Sequence, residues 1–229
     1  YSRSGANSAF DACRSRIFQS RLSILQREIS HRRQGMKKDV LNLPDHYISQ
    51  AVIDLKKNKK QALGVNLCAL IIAAVMVLVA VKFVPLKSAY AGASLGMVKL
   101  GVIIAGMVAY IILHELVHGF LFWAFSGQKP FYGFTGLYAY AGSSAYYCRS
   151  HYIIIGLAPV VGWGLVLGII NYLVPYDWFW VVFIIQVINI SGAAGGIYVF
   201  FRLLSIKGEL LIKDDGTSME IYKRNESGK

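Results

Sequence analysis

The side chains best placed to do chemistry are His114, Glu115 and His118, in the run Tyr-Ile-Ile-Leu-His-Glu-Leu-Val-His-Gly at 110–119. Spacing of four puts the two imidazoles one turn apart on one face of a helix, where their nitrogens can grip a single zinc ion. Glu115 stands beside them, placed to take a proton from a water whose pKa zinc has lowered to ~7. By ordinary residue frequencies an H-E-x-x-H arises by chance in a chain of this size on the order of once in a hundred. The setting sharpens the signal, because an ionised Glu near the middle of a membrane helix costs about 2.5 kcal/mol or more and points to function. The competing reading is a polar network stapling helices together, with Glu115 neutral or paired. No basic residue lies near Glu115 in sequence to pair it.

The helix around this motif belongs to a charge-poor region. Of the 229 residues 55% are hydrophobic and only 16% charged, against roughly a quarter in soluble domains. Between Asp54 and Glu209 the chain holds just two carboxylates, Glu115 and Asp177. Such a stretch is built for lipid, and disordered, collagenous and disulfide-rich classes are excluded. Four apolar runs, Ala62 to Pro85, Leu100 to Phe125, Ile153 to Val174 and Trp178 to Leu204, each exceed the ~20 residues that cross a bilayer. Tyr172, Tyr176, Trp178 and Trp180 mark their edges. The expected class is therefore an all-α integral membrane protein of about four transmembrane helices. A short interfacial β-hairpin is expected in the Gly- and Tyr-rich stretch at 131–147.

Charge orients the spans. Residues 1–60 carry thirteen Lys/Arg against five Asp/Glu, and Arg202 at the end of the last run is followed by Lys207 and Lys213. Both ends are expected inside, in a multi-pass protein of the cell membrane. The 86–99 loop then falls outside despite Lys87 and Lys99. No basic–aromatic interleaving marks the basic segment as a nucleic-acid surface, so membrane lipid is the expected partner and nucleic acid is not. Cys13, Cys68 and Cys148 make neither a CxxC nor an even framework. The expected division is a basic lead at 1–35, a cytoplasmic segment at 36–61, the membrane domain at 62–204 and a cytoplasmic tail at 205–229. Met36, before two lysines, would serve as a start, no cleaved signal peptide is expected, and 45–60 is expected as a short amphipathic helix.

HELVHG, the aromatic hairpin, GLAPVVGWG (156–164), NISGAAGG (189–196) and DDGTSMEIY (214–222) together resemble the bacterial family of uncharacterised membrane proteins classed as zincin peptidases. That family is similar in plan to the site-2 proteases, which cut peptide bonds within the membrane. The resemblance spans roughly 45–225 and implies zinc held by His114 and His118, with Glu115 as general base. It also implies a third ligand, an aspartate after a glycine in the last span. Here that pair is Gly195-Gly196. Depth agrees with the assignment, since Gly196 and His118 each stand eight residues from the inner ends of their spans, about 12 Å.

Replacements for the missing carboxylate remain open. Asp177 is expected at the opposite surface. Asn189, one heptad before Gly196, is a candidate for a supporting polar contact or for holding a substrate carbonyl. His151 reads foremost as an interfacial polar residue. The aspartates of the DDG segment can arrive only if the tail folds back. A site unfilled or completed by water ranks first, leaving the third ligand unassigned. Gly192 with Gly196, and Gly164 with Gly168, also read as small-xxx-small helix contacts.

The leading expectation is an intramembrane zinc metallopeptidase acting on membrane-embedded or membrane-adjacent peptides, with the hairpin offering an edge strand to the substrate. The alternative is an inactive relative that binds membrane partners. A transporter is disfavoured by the absence of an inverted repeat. Substrate identity and oligomeric state lie outside what the residues specify.

Overall fold

A computed structural model describes residues 39–225, apart from 55, 91, 92 and 137. The expected basic lead and the Met36 start lie outside the described residues. Strand β1 (Tyr47–Ile53) is followed by helix α1 (Lys59–Phe83), whose N-terminus is capped by Asn58 accepting from the Gln61 amide at 3.1 Å. Helix α1 is apolar on every side and mostly exposed, with Leu63, Leu70 and Leu78 each about two-thirds accessible. A water-facing helix would be amphipathic.

Helix α2 (Ala93–Ser126) carries the motif in its last third. The chain then forms β2 (Phe131–Phe134), β3 (Ala139–Gly142) and β4 (Tyr146–Cys148) before entering α3 (Arg149–Leu173). The last apolar run is two helices, α4 (Phe179–Gly192) and α5 (Ala194–Ser205), interrupted at Ala193. The interruption falls in Gly-Ala-Ala-Gly-Gly, where glycines favour a helix least. Strands β5 (Leu210–Asp214) and β6 (Met219–Arg224) end the described chain. Four helical segments, Lys59–Phe83, Gly96–Ser126, Arg149–Leu173 and Tyr176–Ser205, are long and apolar enough to cross a membrane.

The all-α expectation is corrected. Antiparallel strands in the order β1-β6-β5-β4 make a four-stranded sheet, and β2 with β3 makes the two-stranded hairpin. The 45–60 segment is a strand rather than a helix, because it pairs with β6 from Tyr47 opposite Arg224 to Ile53 opposite Met219. That pairing joins residues some 170 apart, and a seven-residue segment with a register shift between Ser49 and Ala51 has little periodicity of its own to declare it. Residues 210–224, expected as a tail, fold back as β5 and β6.

The buried core gathers where the sheet meets the ends of α2, α3 and α5. Phe122, Tyr147, Ile155, Leu203, Ile212 and Ile221 are all at most 2% exposed there. At the other end of α2, buried Lys99 meets Asp177 at 3.7 Å and lies over the Trp178 ring. The two basic residues of the 86–99 loop are thus not equivalent, since Lys99 has its own counter-ion. Asp177 is held about 24 Å along α2 from Glu115, at 1.5 Å per residue, and cannot reach the motif.

Candidate metal centre

The two motif imidazoles lie one turn apart on α2, ring centres 4.9 Å from each other. Each is held at Nδ1. For His118 the partner is the Ile155 carbonyl of α3 at 2.9 Å, and a carbonyl only accepts, so Nδ1 carries the hydrogen. That carbonyl is available for a local reason. Its helical partner would be the amide of residue 159, which is a buried proline and has no N–H. Pro159 therefore leaves an oxygen unclaimed inside α3, and His118 takes it.

His114 is fixed by a longer relay. Asn189 of α4, fully buried, donates from Nδ2 to the Val160 carbonyl at 3.1 Å, which settles its amide orientation. Its Oδ1 then accepts the one hydrogen of the Tyr110 hydroxyl at 2.9 Å. The Tyr110 oxygen is left to accept from His114 Nδ1–H, also at 2.9 Å. Both histidines thus carry their proton on Nδ1 and present a bare lone pair at Nε2. Metal-binding histidines are oriented in this way by outer partners.

Both rings line a cavity of about 250 Å³ between α2, α3 and the α4–α5 interruption. Gly196 lines it too, with room for a Cβ that would meet only the Gly156 carbonyl at 3.4 Å. Glu115 lines an adjoining cavity of about 200 Å³, roofed by β3, and His118, Tyr152, Gly156 and Asp214 belong to both. Two imidazoles and two carboxylates face these cavities, and among their lining residues there is no Lys or Arg. Such a donor set suits a divalent cation.

Asp214 reaches the site because the β5–β6 hairpin folds against β3. The Ser143 amide donates to the Asp214 carbonyl at 2.9 Å. Gly142 is required there, for a Cβ would stand 2.7 Å from the Asp215 backbone. Gly216 turns the chain at φ +77° and lies against the Tyr140 ring, where any side chain would collide. The Asp214 carboxylate accepts from the Gly216 amide at 2.8 Å and from the Tyr152 hydroxyl. Burial pushes its carboxyl up to about 6, against the pull of those two hydrogen bonds. Asp215 points the other way and closes the turn, accepting from the Thr217 and Ser218 amides.

His151 sits elsewhere. With Asp39 and Cys148 it forms the one trio, among the described residues, whose possible ligand atoms all lie within 4.8 Å of one another. Its atoms are engaged, however. Asp39 Oδ1 accepts from the Cys148 amide at the head of α3, and Oδ2 pairs with His151 Nδ1 at 2.7 Å. The His151 ring stacks on Phe125, 4.2 Å between centres.

The structure thus brings His114, His118, Glu115 and Gly196 to adjoining cavities and puts Asn189 behind Tyr110. Tyr110, Ile155 and Tyr152 carry no sequence signal of their own as parts of the site, and Asp214 enters it through the folding back of the DDG segment. Pro159, four residues after Ile155 in an otherwise helical run, was the one legible sign of a freed carbonyl.

A helical protein with four membrane-length segments and an H-E-x-x-H pair opening on a cavity between them is the class that this fold and site define. Residues 107–210 match the model of the family described as "Putative zincin peptidase", a likeness that covers a little under half of the chain. No curated protein and no solved structure matches the chain.

Proposed function

We propose that this protein is a multi-pass membrane zinc metallopeptidase that hydrolyses membrane-embedded or membrane-adjacent peptides. The observation carrying the proposal is the pair of bare Nε2 lone pairs on one cavity, each enforced by a partner at Nδ1. His114 and His118 would hold zinc. Bound there, zinc would supply a Lewis acid and a water nucleophile at neutral pH. Glu115, in the adjoining cavity, would take the proton of the attacking water and pass it to the leaving amine. Hairpin strand β2 is paired only by β3 and exposes Phe131, Tyr132 and Phe134, which supports holding an extended peptide along its free edge. The Lys-rich segment before α1 and Arg202, Lys207 and Lys213 beyond α4 support both ends inside and a location in the cell membrane.

The deciding experiment is metal analysis of the purified protein together with cleavage of a membrane peptide. About one zinc per chain is expected, lost from the His114→Ala/His118→Ala double variant, with cleavage abolished in Glu115→Gln. Protein without zinc under loading conditions would overturn the reading. Gly196 favours a second reading, a non-catalytic relative that binds membrane partners. Under it, zinc is retained and cleavage appears only on Gly196→Asp.

A further inference from the structure

We propose that Asp214, from the turn between β5 and β6, supplies the third protein ligand to the metal held by His114 and His118. The inference rests on the zinc reading above and deepens it. Position 196 lines the cavity but offers only hydrogen. Asp214 lines that same cavity with both histidines and also the one that holds Glu115. It reaches there from outside the helices, along a path that exists because Gly142 and Gly216 let the turn press on β3.

Its surroundings are those of a ligating carboxylate. One oxygen accepts from the Gly216 amide and the other from the Tyr152 phenol. Ligating carboxylates are hydrogen-bonded by outer partners in this manner, and a carboxylate offers about four lone-pair sites, of which two are used here. No Lys or Arg among the residues lining these cavities neutralises it. Asp215, one residue on, has its carboxylate taken by Thr217 and Ser218 and is excluded. Depth is favourable too. Tyr152 precedes Ile155, the partner of His118, by one turn of α3, about 5 Å. The His114, His118 and Asp214 ligand atoms do not all lie within 4.8 Å of one another. The proposal therefore requires the Asp214 carboxylate to move toward the imidazoles when the metal binds.

Zinc affinity of the full chain in detergent, by chelator competition, tests this without any substrate. Asp214→Asn is expected to weaken binding by about 100-fold or more, and Asp215→Asn by no more than about threefold. Tyr152→Phe, which removes only an outer partner, is expected to cost no more than about tenfold. Equal losses in Asp214→Asn and Tyr152→Phe would reduce Asp214 to a partner of the phenol and overturn the proposal. Gly196→Asp placed in the Asp214→Asn background is expected to restore tight binding, which also shows that the variant is folded. Cobalt spectra should shift between the parent and Asp214→Asn and return with Gly196→Asp. Unchanged affinity in Asp214→Asn, with binding lost in the histidine variants, sinks Asp214 alone. Binding that survives the histidine double variant sinks the zinc reading itself.

Discussion

Two histidine clusters at the same end of the helices make an instructive contrast. Asp39, Cys148 and His151 have the tighter grouping, with all possible ligand atoms within 4.8 Å. His114 and His118 have no third ligand atom so close. Proximity alone would choose the first cluster, whereas the motif imidazoles line a cavity that Asp214 also faces, adjoining the one that holds Glu115. Asp39 gives one oxygen to the Cys148 amide, just ahead of α3, and the other to the His151 ring, so the cluster ties the strand-to-helix junction to residue 39. In the motif cluster every Nδ1 is spoken for by a group that accepts, which leaves each Nε2 without a hydrogen. His151 Nδ1 is held by an acceptor in the same way, so the difference lies in the carboxylate: Asp39 is bound within its own cluster, while the motif imidazoles face a cavity.

That contrast can be broken by substitution. The largest effect is expected at Glu115, where Glu115→Gln should lower peptide cleavage by about a thousandfold while zinc content stays at the parent level. Loss of zinc along with cleavage would instead make Glu115 a ligand. Next, Tyr110→Phe removes the acceptor of His114 Nδ1–H and is expected to weaken zinc binding by about 10–100-fold in chelator competition. Asp39→Ala should leave zinc binding alone but cost about 1–2 kcal/mol through the lost hydrogen bonds to the Cys148 amide and the His151 ring, seen as a lower melting temperature. A variant that keeps its stability and loses metal would invert the comparison. Pro159→Ala returns an amide to the Ile155 carbonyl, and the expected outcome is a several-fold loss of zinc affinity, toward the lower limit for outer partners of about tenfold. Smallest of all, Cys148→Ala should shift stability by less than about 0.5 kcal/mol and zinc content not at all.

A similar contrast runs between the two carboxylates of the charge-poor region. Asp177 answers Lys99 near the start of α2 and offsets the one buried ammonium of the described residues. Glu115 has no basic partner on any lining residue of its cavity. The sequence count that set these two apart from all other acids was a sound guide to where charge matters, but it passed over a third. Asp214 lies beyond the last apolar run and reads as a surface residue until β5 is paired with β4 and β6.

The helices were legible because their signal is local. Apolar runs longer than ~20 residues need no knowledge of the rest of the chain, and the expected limits fall within a few residues of the observed helices except for the lead of α2 and the break at Ala193. The histidine pair was equally legible, since four-residue spacing on a helix fixes which side chains share a face. The sheet was not, because β1 finds its partner about 170 residues away and its short, shifted register leaves no period to read. The relay from Val160 through Asn189 and Tyr110 to His114 was hidden for the same reason, joining three helices by hydrogen bonds that no spacing encodes. By itself the sequence determined the membrane-length helices and the motif face. Only the tertiary structure decided which imidazole nitrogens are bare and which aspartate faces them, since both follow from contacts between distant segments.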